Sequence, residues 1–152
     1  MCSIAHWTTC CAVTLTMKQV LAPGTLGPDQ NGTAYLNAER ASTNLVDFVN
    51  RLNRRVFGKA AERYGKRVRC IAVLENSENQ RLHYHLCLGP PEWISLNEFE
   101  AAIRVSWFET HWAHRQIDVQ PNADEGWLAY ILKSRSKSDF DQSIDLATFH
   151  ND

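Results

Sequence analysis

Nowhere in the 152 residues do about 18 apolar side chains run together as a membrane-spanning helix requires. Met1 to Cys11 also lacks the basic start and continuous apolar stretch of a secretory signal. Both absences predict an intracellular protein, in the cytoplasm or, in a eukaryotic host, the nucleus, with no membrane partner. Cysteine is scarce and irregular. Cys2, Cys10, Cys11, Cys70 and Cys87 are odd in number and lack the regular spacing of a disulfide scaffold, so reduced, mostly buried thiols are expected. The adjacent pair Cys10 and Cys11 has no matching second pair, which argues against a structural zinc site. No G-x-x-x-x-G-K-[ST] segment is present, so the phosphate-cradling loop of an ATPase is missing and no helicase unit is expected in this chain. Repeats and low-complexity tracts are absent too, which sets aside a solenoid.

Net charge is the last thing in short supply. Sixteen Lys and Arg face 17 Asp and Glu, for a formal charge of -1. The balance conceals a segregation: Arg51, Arg54, Arg55, Lys59, Arg63, Lys66, Arg67 and Arg69 stand against the single acid Glu62. Such a run is either a solvated helix face or the electrostatic footprint of a nucleic-acid binder. On the second reading Arg51, Arg54, Arg55 and Lys59 contact DNA phosphates. Hydrophobic residues at 44% and charged residues at 22% are ordinary globular usage, and the length suits one domain over residues 1–152.

Periodicity divides the chain into elements. Cys11 to Lys18 alternates, with Val13, Leu15 and Met17 on one side and Thr14 and Thr16 on the other, as in a half-buried strand. Val20 to Thr33 carries Pro23, Gly24, Gly27, Pro28 and Gly32 and reads as a loop. Leu45, Phe48, Val49, Leu52 and Val56 recur at three and four, predicting an amphipathic helix from about Ser42 to Phe57 that stops near Gly58 or runs on to Gly65. Val68 to Glu75 and Leu82 to Leu88 read as two strands of an antiparallel hairpin. Ser95 with Glu98 forms a capping box, opening a helix expected to reach about Trp112. His114 to Gln120 alternates again, and Asn122 with Glu125 marks the start of a helix from about Ala123 to Arg135. The order β, α, β, β, α, β, α predicts an α+β fold, a mainly antiparallel central sheet flanked by helices.

Two groups of residues carry chemistry. In a strand His83 and His85 project from one face and Tyr84 from the other. A hairpin centred near Asn79 sets Glu75 across from His83 on that same face, giving a 2-His-1-carboxylate set with open positions. The plain alternative is two polar residues facing solvent. Cupin-type barrels share the pattern but need many short strands, where this chain has at least three helices. His111 and His114, three apart at a helix end, are further possible ligands. Tyr130 and Lys133 share one face of the last predicted helix, anchored by Leu128, Ile131 and Leu132.

In order, these pieces resemble the HUH endonucleases of rolling-circle replication initiators: Thr14-Leu15-Thr16 as the first motif, Glu75 with His83-Tyr84-His85 as the second, and Tyr130-x-x-Lys133 as the third. The resemblance spans about residues 11 to 137 and implies the ferredoxin-like HUH fold. It implies Tyr130 as the nucleophile on a scissile phosphate of single-stranded DNA, within an origin hairpin or loop, giving a 5′-phosphotyrosine link and a free 3′-hydroxyl. Lys133 would favour ionisation of a phenol whose ordinary pKa is ~10. Glu75, His83 and His85 would hold Mn2+ or Mg2+, Thr14 and Thr16 would contact DNA, and a separate helicase and host polymerase would complete replication. A transposase of the same class would share metal site and tyrosine. A relaxase would normally have a third histidine in place of Glu75. A nonenzymatic single-stranded nucleic-acid-binding module would need no Tyr130.

Overall fold

The computed structural model describes residues 10–76, 79, 81–123, 126, 127, 129 and 130. Strand β1 spans Cys11–Met17, and two short strands, β2 (Val20–Leu21) and β3 (Ala34–Tyr35), follow it. Helix α1 spans Ala38–Phe57, α2 Lys59–Tyr64, strand β4 Arg69–Asn76, β5 Leu82–Gly89, helix α3 Leu96–Phe108 and strand β6 Ala113–Gln120. The main sheet has the order β4-β5-β1-β6, with β1 antiparallel to both its neighbours and β4 antiparallel to β5. In chain order of these four strands the arrangement is 2-3-1-4, in which a helix follows the first and third strands, as in the ferredoxin-like pattern. No helix among the described residues is long and apolar enough to cross a membrane.

The period of two on β1 decides which side of the sheet is covered by helices. Val13, Leu15 and Met17 are buried in one core with Leu86 and Leu88 of β5, Leu45, Phe48 and Leu52 of α1, and Phe99, Ile103 and Trp107 of α3. Each such burial contributes roughly 1.5–3 kcal/mol. Phe48 and Trp107 meet edge to face across the two helices, ring centroids 5.6 Å apart. Residues of the opposite parity, Thr14, Thr16, Val73, Glu75, His83, His85 and Cys87, therefore look out from the other face.

The helix limits differ from the periodic reading at two ends, each for a stated hydrogen bond. The first helix begins at Ala38, before Ser42, because Asn37 Oδ1 accepts from the Arg40 N–H 2.8 Å away and caps it there. It stops at Gly58, whose φ of 56° suits a residue without a Cβ. The capping box of Ser95 and Glu98 is present in full. The helix it opens ends at Phe108 and does not reach Trp112. Thr110 Oγ1 donates to the Trp107 carbonyl at 2.7 Å, and Asn44 on α1 donates to Thr110 and accepts from the Trp112 N–H. That buried network turns the chain into β6. Within the expected loop Val20 to Thr33, Val20 and Leu21 form one strand of a small hairpin with β3.

The cysteines require a correction. Cys10 and Cys87 form a disulfide across 77 residues, with Cα atoms 6.0 Å apart. They are brought together by the β1–β5 pairing, which aligns Ala12 with Cys87 and so lays Cys10 diagonally beside it. Cys11 and Cys70 remain buried thiols, as expected, and burial pushes the Cys11 thiol up to about 11. Cys2 lies outside the described residues.

Candidate active site

The β4–β5 hairpin pairs Glu75 with His83 and Val73 with His85, so one carboxylate and two imidazoles share the open face. Their donor atoms converge. His85 Nε2 lies 2.7 Å and His83 Nε2 3.4 Å from Glu75 Oε2, and the two Nε2 atoms are 3.2 Å apart. All three side chains are largely withdrawn from water, with 13%, 19% and 32% exposure for His85, His83 and Glu75. No other group of three potential ligands occurs among the described residues.

The donor set fits a divalent cation. Ligand atoms about 2.1–2.2 Å from an ion and about 3 Å from one another subtend about 90° at it, one face of an octahedron, whereas tetrahedral ligands would stand about 3.5 Å apart. Both rings are also oriented by groups behind them. His83 Nδ1 is 3.1 Å from the Arg81 carbonyl, which can only accept, so the hydrogen sits on Nδ1 and Nε2 keeps its lone pair. His85 Nδ1 is 3.1 Å from Thr14 Oγ1, which can accept from it and release Nε2 as a ligand. Burial and the neighbouring His83 lower the His85 pKa below the ordinary value, outweighing the opposing pull of Glu75, so the neutral form that a metal requires is favoured.

β1 supplies this outer support because Thr14 lies opposite His85 and Thr16 opposite His83. Thr16 sits where the β1–β6 register shifts, a bulge between Leu15 and Met17, and its hydroxyl donates to the Gln116 carbonyl in place of a ladder bond. The Thr-x-Thr pattern thus stands at the site, with Thr14 directly behind a ligand ring.

Beyond β6 the backbone is helical at Gly126, Trp127, Ala129 and Tyr130. Trp127 packs on Cys10, Ile71, Val73 and Cys87 and donates from Nε1 to the Leu86 carbonyl at 3.2 Å. Its ring meets His85 edge to face at 5.4 Å and stacks on Tyr130 at 5.7 Å, with an interplanar angle of 23°. The Tyr130 ring lies 6.4 Å from that of His85 and is 54% exposed. Trp127 is the contact that sequence reasoning missed. Its signal was an aromatic three residues before Tyr130, on the same helical face. Lys133, Leu128, Ile131 and Leu132 lie outside the described residues.

The basic residues are not brought to this face. Arg51 and Arg55 sit on α1, in the helix layer behind the sheet, where Arg51 pairs with Asp47 and both pair with Glu109. Arg54 and Lys59 are exposed on the same layer. His111 lines a cleft beside α1, and His114 lies near Thr16, its Nδ1 3.5 Å from the hydroxyl, so neither joins the cluster of Glu75, His83 and His85.

A family model described as a replication-associated protein, of the ORF2 type, matches residues 10–139. No curated protein and no solved structure matches the chain.

Proposed function

The chain belongs to this replication-associated protein family, and we propose that it acts there as a DNA-nicking and strand-joining endonuclease with Tyr130 as nucleophile. The observation that carries this reading is the meeting of Glu75, His83 and His85 donor atoms with the Tyr130 ring 6.4 Å from His85. A metal centre alone would serve many chemistries; a phenol beside it selects transfer of a phosphoryl group to oxygen.

Tyr130 Oη attacks the scissile phosphorus of single-stranded DNA. One Oη–P bond forms, the P–O3′ bond breaks, the phenolic proton leaves Oη and the 3′ oxygen gains a proton. A 5′-phosphotyrosine and a free 3′-hydroxyl result, and attack by a 3′-hydroxyl on the same phosphorus reverses the step and joins strands. A divalent cation held by Glu75, His83 and His85, Mn2+ or Mg2+, supplies Lewis acidity to a phosphate oxygen when bound. Thr14 and the Arg81 carbonyl hold the two rings in the ligating orientation. Trp127 fixes the Tyr130 ring against rotation and excludes water from its inner face. Lys133, one helical turn on in sequence, favours the phenolate. Unwinding falls to a separate helicase and extension of the 3′ end to a host polymerase.

The test is covalent capture. Incubated with Mn2+ and a random single-stranded DNA pool, the protein is expected to shift on a denaturing gel, with the nucleotide on the peptide containing Tyr130. Tyr130→Phe removes one oxygen and keeps the stacking ring, so the adduct should vanish while metal and DNA binding stay near parental. His83→Ala, His85→Ala and Glu75→Ala should each lose most of it. Full activity in excess chelator would sink the metal role. An adduct that persists in Tyr130→Phe would show another nucleophile, and none at all in the parent would leave a binding module.

A further inference from the structure

Beside His83 the sheet face opens into a cleft of about 560 Å3, bounded by the end of β1, the start of β5 and the first residues of β6. Lys18, Arg81 and His114 line it, and no acid does. Lys18 and Arg81 stand on opposite walls, one just past β1 and the other just before β5, and both are exposed. The backbone N–H of Gln116 donates to His114 Nδ1 at 3.3 Å, which puts the neutral ring's hydrogen on Nε2, a further donor. Met17, Val20 and Leu82 add an apolar side. Cations, a neutral donor and an apolar wall without a carboxylate suit a ligand with an anionic part and a flat apolar part.

The cleft is built rather than incidental. Gln19 spans its base: Nε2 donates to the carbonyls of Met17 and Leu82 at 2.8 and 3.2 Å, and Oε1 accepts from the Leu82 N–H at 3.1 Å. The Lys18 N–H donates to the Trp112 carbonyl at 2.8 Å, tying the same corner to the turn before β6. Three chain segments are thereby held at fixed spacing before any ligand arrives. Its volume is within the range of small-ligand sites, enough for one or two nucleotides but not a duplex.

We propose that this cleft is a nucleotide subsite that grips the substrate strand immediately beside the scissile phosphate, with Lys18 and Arg81 on the phosphate and Met17, Val20 and Leu82 against the base. His83 forms part of its wall, so a strand whose scissile phosphate lies at Glu75, His83 and His85 passes directly into it. The assignment rests on the nicking reading only in naming the strand to be cut as the occupant. It locates the sequence-determining contacts on this face, away from the cations of α1.

Fluorescence anisotropy with a labelled pool of random single-stranded oligonucleotides, over a salt series, tests it. Lys18→Ala and Arg81→Ala are each expected to weaken binding roughly tenfold and to flatten the plot of log affinity against log salt by about 0.7, one phosphate contact apiece. His114→Ala should weaken binding without altering that slope. Arg104→Gln, a cation of α3 paired with Glu100, should match the parent in both. Unchanged Mn2+ affinity and melting temperature verify that the variants are folded. Parental affinity and slope in the Lys18→Ala, Arg81→Ala double variant would overturn the proposal, as would displacement of the oligonucleotide by deoxyadenosine monophosphate at equal concentration, which would mark a site for free nucleotides. If the parent forms no covalent adduct yet the cleft variants lose affinity, the subsite stands and the nicking reading falls. Adduct formation with indifferent cleft variants means the reverse.

Discussion

Thr14 shows how a residue type too common to signify in sequence gains a definite place in structure. A threonine on a strand is ordinary, and Thr14-Leu15-Thr16 has weight only beside the two later motifs. The β1–β5 register sets Thr14 opposite His85, where its hydroxyl stands 3.1 Å from Nδ1. His83-Tyr84-His85 was legible without coordinates, since alternation along one strand places both rings, and Glu75 followed from the centre of its own hairpin. The partner of His85 Nδ1 depends on which strand lies beside β5, 71 residues distant in sequence, and no local pattern encodes that. Removing an outer partner of a ligating histidine typically costs about 10–100-fold in metal affinity. Thr14→Val keeps the shape and deletes the acceptor, so its Mn2+ affinity by calorimetry should fall within that range, and Thr14→Ser should recover most of the loss. An affinity for Thr14→Val equal to the parent's would mean that the hydroxyl does not orient the ring.

Elements were readable where their signals are local. The β1 alternation, the α1 apolar stripe, the β4–β5 hairpin and the Ser95 capping box each lie within a few turns of chain, and each forms where expected. The failures have distant causes. α3 stops short because Asn44, on a different helix, holds Thr110 and Trp112 in the turn. The disulfide escaped notice because Cys10 and Cys87 are neighbours only through sheet pairing. That bond also joins the entry of β1 to the strand carrying both histidines, under the Trp127 ring, while the Ala123 N–H donates to the Cys10 carbonyl at 2.9 Å. Closing so long a loop restricts the unfolded chain, and native disulfides typically contribute about 2–5 kcal/mol. Reduction, or Cys10→Ser with Cys87→Ser, should therefore lower the unfolding free energy in urea by about that amount. Equal midpoints with and without reductant would show that the bond adds no stability.

At the scale of the molecule, the sheet separates two kinds of surface. One face bears the ligand cluster, Tyr130 and the cleft of Lys18 and Arg81; the other is buried under α1 and α3, whose outer side carries the segregated cations. The sequence revealed that segregation but not its side, because charge along a helix does not say which face of a sheet the helix covers. Arg51 and Arg55 are further engaged by Asp47 and Glu109, which reduces the field they offer a phosphate. DNA in the active site cannot touch α1 unless it is long enough to leave the sheet face and pass round an edge of the molecule. The contribution of the α1 cations should thus depend on the length and form of the DNA. Charge reversal at Arg54 and Lys59, exposed on that layer, should leave binding of an oligonucleotide just filling the cleft within about twofold of parental. The same change should weaken binding of a hairpin with a duplex stem several-fold, with a shallower salt slope, since each lost phosphate contact releases one fewer set of counterions. Equal losses for short and long DNA would place both cations on the path of the cut strand itself, and no loss for either would leave the α1 cluster a solvated helix face.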